Sequence, residues 1–192
     1  MVLPIIAYGD PVLKKKAQEI TPDYPELDKV LQNMFDTMHN AKGVGLAAPQ
    51  VGLSIRIFIV DASPYAEDQE DEKEQKKLND FRKIFINPVI LDDKGTPWKF
   101  NEGCLSIPGI REDVERKPDI RIKYVDENFK QHDEKYDGIR ARIIQHEYDH
   151  IEGILFIDKI NPLRKRLLKR KLTDLTKGIV DVSYRMKFPL KK

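Results

Sequence analysis

Six consecutive residues, Gln145-His146-Glu147-Tyr148-Asp149-His150, restrict what this chain can become more than any other stretch. Residues four apart share one face of an α-helix, so His146 and His150 can aim two imidazoles at one metal ion. Glu147 then stands one step round, beside whatever the ion holds. An H-E-x-x-H run on a helix is the pattern of a metal-activated water whose proton a carboxylate moves. Ile139 and Ile143 precede the histidines on the same face, which predicts a helix buried in the core with an apolar pocket beside the metal. Asp137 is a good cap for this helix and Gly153 suits its stop. The pattern is short enough to arise by chance, so the rest of the chain has to support it.

The chain has 192 residues, 40% hydrophobic and 34% charged, and carries a net charge of +2. These values predict one globular domain over 1–192 and give no global case for a membrane or a nucleic-acid partner. The opening residues lack the basic start and long apolar run of a signal peptide, and no stretch is long enough to span a bilayer. The single cysteine, Cys104, excludes an intrachain disulfide and suits a reducing cytoplasm.

Taken in order, residues 3–20 read as an irregular arm. A helix capped by Asp23 follows, with Leu27, Val30, Leu31, Met34 and Met38 as its core stripe and His39 near its C-terminus. Gly43 to Gly52 reads as one wall of a narrow cleft, with Gln50 offering an amide donor, and 54–61 as a strand. The acidic, polar stretch at about 66–80 has little to bury and reads as a mobile loop. Residues 85–91 and the stretch holding Trp98 and Phe100 read as a hairpin turning at Asp92-Asp93-Lys94-Gly95, with both rings in the core. Residues 120–125 and 129–136 read as a second hairpin, with His132 exposed on its polar arm. A short strand at 154–157 leads to a basic C-terminal helix at about 161–176. That helix starts at Asn161-Pro162 and carries the apolar stripe Leu163, Leu167, Leu168, Leu172 and Leu175. Its other face holds Arg164, Lys165, Arg166, Lys169, Arg170 and Lys171. Residues 179–186 alternate weakly, as an edge strand would.

Two imidazoles leave a catalytic site one protein ligand short. The extended metalloprotease pattern would place a third histidine where this chain has Phe156, and no glutamate follows Glu152. Asp158, Asp174 and Asp181 fit no known spacing. His39 and His132 remain candidates, as does Cys104, a soft ligand preceded by the permissive Gly103. A metalloendopeptidase with some other third ligand, or an RNA-binding protein with a vestigial site, stays open at this point.

Three blocks then fall into one pattern. Gly43-x-Gly45-Leu46-Ala47-Ala48-Pro49-Gln50, Glu102-Gly103-Cys104-Leu105-Ser106 and Gln145-His146-Glu147-x-Asp149-His150 resemble, in order, the three signature motifs of peptide deformylase. The likeness extends to the Tyr8-Gly9-Asp10-Pro11 opening. The resemblance implies that Cys104, His146 and His150 are the metal ligands and that Glu147 is the general acid/base of a metal-bound hydroxide. It implies Gln50 and the Leu105 N–H as oxyanion donors. Fe²⁺ is the implied metal, with Zn²⁺, Ni²⁺ or Co²⁺ as substitutes. The implied substrates are N-formylmethionyl nascent peptides, met in the cytoplasm. Val44, Gly45, Ile139 and Ile143 are candidate walls for the methionine, Arg111 a candidate for the cleft mouth, and Glu102 a support behind the ligands. The basic C-terminal helix resembles an extension that docks some deformylases on the ribosome through charge alone, with no nucleic-acid sequence read. The expected fold is α+β, with antiparallel sheets wrapped around the H-E-x-x-H helix and flanking N-terminal and C-terminal helices.

Overall fold

A computed structural model describes residues 1–189. Its first elements are β1 (Ile5–Ile6), α1 (Leu27–Asn40), β2 (Gly45–Ala47), β3 (Ile57–Asp61) and α2 (Glu72–Asn79). β4 (Arg82–Lys94), β5 (Trp98–Cys104), β6 (Ile107–Arg116), β7 (Asp119–Val125) and β8 (Gln131–Tyr136) follow. α3 (Gly138–Ile151), α4 (Pro162–Thr176) and β9 (Met186–Lys187) complete the order. An antiparallel sheet runs β2-β3-β4-β7-β8, β5 pairs with β6 antiparallel, and β1 pairs with β9 in parallel. The α+β expectation holds.

The long sheet folds round α3 because its strands alternate. In β7, Ile120, Ile122 and Tyr124 turn inward while the charged residues between them face water. β3 is buried on both faces, and its Phe58 stacks on Phe85 of β4 with ring centroids 4.7 Å apart. Ala141, Ile144 and Ile151 of α3 join these residues in one core cluster. Truncating a ring such as Phe85 would cost about 3–5 kcal/mol. A second cluster, built on Leu155, Phe156 and Ile157, seats β6 and the inner face of α4. α3 therefore sits between sheet and hairpin, and its polar residues must find partners there.

Several local expectations are corrected. α1 begins at Leu27 after Glu26, whose backbone is left-handed (φ 51°), while Asp23 bonds Thr21 instead of capping the helix. The 66–80 stretch is not a plain loop: Asp71 caps α2 by accepting from Lys73 N at 2.9 Å, and Leu78 anchors the helix in the core. One buried leucine and one good cap suffice to order a short polar helix. The 85–100 hairpin does not form, because β7 takes the edge of β4 with Lys94 opposite Asp119, and β5 turns away to pair with β6. Residues 156–158 form a 3-10 turn, not a strand, with Asp158 Oδ2 accepting from Leu155 N. Leu163 and Leu167 are 65% and 66% exposed, so the buried stripe of α4 narrows to Leu172 and Leu175. His132 is partly buried, stacked on Tyr124 and paired with Asp126 Oδ2 at 2.7 Å.

Candidate metal centre

α3 spans all six residues of the opening motif, and its C-terminal Gly153 adopts the left-handed conformation (φ 75°) that ends it. Asp137 flanks its start but pairs with Arg140 instead of bonding a helix N–H. His146 and His150 point the same way, with ring centroids 5.1 Å apart. Cys104, at the last position of β5, brings its sulfur to 3.3 Å from His150 Nε2. One ligand atom from each of Cys104, His146 and His150 lies within 4.8 Å of the others. His39 and His132, the other imidazoles, are bound up elsewhere, each against a surface aspartate.

Behind these three donors lies a buried charge network. Ionised Glu102 accepts from Arg116 Nε at 2.7 Å and Arg116 Nη2 at 2.9 Å, a two-pronged pair, and from Arg142 Nη1 at 2.9 Å. Arg116 also reaches Asp149 Oδ2 at 2.6 Å. Burial alone would raise the Glu102 carboxyl, but Arg116 and His146 hold it well below the usual carboxylate range. Glu102 Oε2 accepts from His146 Nδ1 at 2.9 Å, which fixes the tautomer and leaves Nε2 for the cavity. Alternation along β6 explains Arg116, since Ile110, Glu112, Val114 and Arg116 all face inward.

The donor set fits a divalent first-row ion. A sulfur and two imidazoles suit iron, zinc, cobalt or nickel. Burial pushes His146 down, yet hydrogen bonds to Cys104 and Glu102 with the charge of Glu147 lift it to about 10. The negative groups that hold that proton would equally favour a cation in its place. His150 is pushed well below its ordinary value by burial and the neighbouring His146, and so stays neutral as a ligand must. Glu147 is 4% exposed, its Oε2 has no hydrogen-bond partner among the described residues, and burial pushes it up to about 7. That value suits a group that takes a proton and gives it back.

A cavity of about 690 Å³ opens onto His146 and Glu147. Val44, Gly45, Ile143 and Arg111 line it, together with Gln50, Cys104, Leu105, His146 and Glu147. Ile139 does not line it; its side chain packs against the core cluster one turn too early on α3 to reach the opening. Gln50 is 1% exposed, with its Oε1 accepting from Ala47 N at 2.8 Å. Its Nε2 lies 3.5 Å from Cys104 Sγ and 3.3 Å from Ser106 Oγ. Trp98 and Phe100 are only half-buried: Phe100 lines the cavity with Tyr65, and Arg142 stacks over both rings. Sequence reading missed Arg116, Arg142, Tyr65 and residues 182–184, and weighed Asp181 only as a metal ligand. Only the inward position of Arg116 on a strictly alternating strand carried a readable signal.

A cluster of sulfur and imidazole donors beside a buried carboxylate, set in an open cleft on an H-E-x-x-H helix, defines the class as metallohydrolase. Residues 2–166 match the family model described as polypeptide deformylase. The peptide deformylase of Christiangramia forsetii is 62% identical over 190 residues, covering 98% of this chain and 97% of that protein. That of Flavobacterium johnsoniae is 55% identical, covering 100% of this chain and 98% of its own length. Among solved structures, peptide deformylase from Plasmodium falciparum superposes with a TM-score of 0.78 at 39% identity, covering 91% of this chain and 95% of that one. The chain belongs to the polypeptide deformylase family, metalloenzymes of protein biosynthesis that hydrolyse the formyl group from nascent peptides.

Proposed function

We propose that this enzyme deformylates N-formylmethionyl chains at a centre where Cys104, His146 and His150 hold Fe²⁺ and Glu147 carries the proton. The convergence of those three donors within 4.8 Å, beside an unpartnered buried carboxylate oxygen, carries the reading. Zn²⁺, Ni²⁺ and Co²⁺ suit the same donors. When bound, the ion supplies Lewis acidity, which makes a nucleophile of water at neutral pH. Glu147 takes the proton of the attacking water and delivers it to the departing methionine nitrogen. Gln50 Nε2 and the Leu105 N–H donate to the oxygen on which charge develops, each worth roughly 3 kcal/mol in the transition state. Val44, Gly45 and Ile143 wall an unbranched apolar slot for methionine, and Arg111, held by Asn101, stands at its mouth.

The domain spans 1–192 and works in the cytoplasm; among the described residues no helix is long and apolar enough to cross a membrane. α4 docks on the ribosome: Arg164 and Lys165 are engaged with Glu112 and Asp158, while Arg166 and Lys169 border exposed Leu163 and Leu167. Binding to ribosomes should weaken with salt, as phosphate contacts do. The decisive experiment purifies the protein without oxygen, counts metal by elemental analysis and assays formyl-Met-Ala-Ser. About one iron per chain is expected, with turnover abolished in Glu147→Ala; turnover that survives this change removes Glu147 from its role.

A further inference from the structure

Asp181, Val182, Ser183 and Tyr184 line the same cavity as His146 and Glu147. They lie beyond residue 166, where the match to the family model stops. Just after them, β9 anchors the chain against β1, with Ile5 N donating to Arg185 O and Ala7 N to Lys187 O at 2.9 Å each. Within the segment, the Tyr184 hydroxyl donates to the backbone carbonyl of Leu105 at 2.8 Å.

The place of that carbonyl gives the contact its meaning. β5 and β6 close with Cys104 opposite Ile107, leaving Leu105 and Ser106 as a turn outside the ladder. Turn carbonyls shut away from water need donors from elsewhere. Ser106 O receives the Tyr8 N–H at 2.9 Å, and Leu105 O receives Tyr184. On the other side, Gln50 Nε2 reaches both Cys104 Sγ and Ser106 Oγ. The Leu105 side chain is wedged so closely against Gly43 that a Cβ there would lie 2.7 Å from Leu105 Cδ1. The Leu105 N–H shares its peptide plane with the Cys104 carbonyl, and only the φ and ψ of Leu105, whose side chain is itself wedged against Gly43, join it to the latched Leu105 carbonyl. Burial, with the nearby charge of Cys104, also pushes the Tyr184 phenol above its ordinary value, so it remains a donor.

We propose that Tyr184 is a positioning residue for deformylation: latched on the Leu105 carbonyl, it sets the direction in which the Leu105 N–H meets the developing oxyanion. The inference rests on the reading above that this N–H is an oxyanion donor. Tyr184 acts only through the backbone, and an oxyanion donor loses its effect when turned from the position the oxygen will occupy.

Tyr184→Phe removes the hydroxyl and keeps the ring. On formyl-Met-Ala-Ser, the full-length metal-loaded variant should lose about five- to ten-fold in kcat with KM unchanged, the scale expected for one lost hydrogen bond at an oriented donor. In metal-free protein, amide hydrogen exchange at Leu105 and Ser106 should speed up several-fold while α3 keeps wild-type exchange. Unchanged kcat and exchange overturn the proposal. So does a raised KM at unchanged kcat, which would make residues 181–184 a passive wall. Gln50→Ala, measured in parallel, separates the two levels. Slow turnover there with normal turnover in Tyr184→Phe defeats the latch alone, whereas normal turnover in both defeats the oxyanion reading and the latch with it.

Discussion

Gly45 and Glu147 are packed so tightly that one methyl group should separate binding from catalysis. A Cβ at Gly45 would lie 2.4 Å from Glu147 Oε1 and 2.7 Å from both Cγ and Cδ. Ordinary contact begins at 3.4 Å, so the carboxylate must retreat by about 1 Å (3.4 − 2.4) in Gly45→Ala. The backbone cannot absorb this easily, because Gly45 is paired in register with Val60 and α3 is fixed in the core. Gly45 has no positive φ, so alanine suits its backbone and the change is purely steric. Misplacing a catalytic group by about 1 Å costs on the order of 100-fold in rate. Overpacking of this size costs about 1–3 kcal/mol of stability, which a well-folded domain survives. Formate release from formyl-Met-Ala-Ser should therefore fall about 100-fold in kcat. Metal content should stay at the wild-type level, since the three atoms nearest the added methyl all belong to Glu147. Wild-type kcat in a folded, metal-loaded Gly45→Ala would refute the assignment of Glu147 as the proton carrier.

Cys104→Ala should drop metal content well below one ion per chain while circular dichroism stays native; full occupancy would move the third ligand elsewhere. Arg116→Met leaves Glu102 and Asp149 buried without their shared cation, and should cost about 3–5 kcal/mol in urea unfolding. A loss under about 1 kcal/mol would show that the network is solvated. Burial would raise Glu134, but the Tyr124 and Tyr136 hydroxyls and Lys83 hold it down at about 2. A depressed carboxylate stabilises the fold above its unfolded pKa of 4.5 and loses that contribution as pH falls towards 2. The stability gap between wild type and Glu134→Gln should accordingly be constant above pH 5 and close between about pH 4.5 and 2. A gap that persists undiminished at low pH would contradict this.

Part of the candidate metal centre was legible because its signal is local: helical spacing aligns His146 with His150, whereas Cys104 joined them only through the resemblance of its short block to a family motif. The same holds for the β7–β8 hairpin, whose strands are neighbours in sequence. What could not be read depends on competition between distant partners. β4 and β5 each look like halves of one hairpin, yet β7 takes the edge of β4 from Ile86 opposite Val125 to Lys94 opposite Asp119. Arg142 on a helix reads as surface charge; only the meeting of β5, β6 and α3 gives it Glu102, Val114 O and Trp98 O as partners. Leu163 and Leu167 fit a buried stripe by period, but among the described residues no second layer covers that end of α4.

The parallel pairing of β1 with β9 sets a timetable for the molecule. Ile5 lies in register with Met186, so β1 cannot pair until residues 186–187 have been synthesised. During translation Cys104, His146 and His150 are all synthesised before Tyr184, which bonds the Leu105 carbonyl. A chain broken off before residue 181 would carry all three donors of the candidate centre and lack the cavity wall that residues 181–184 supply.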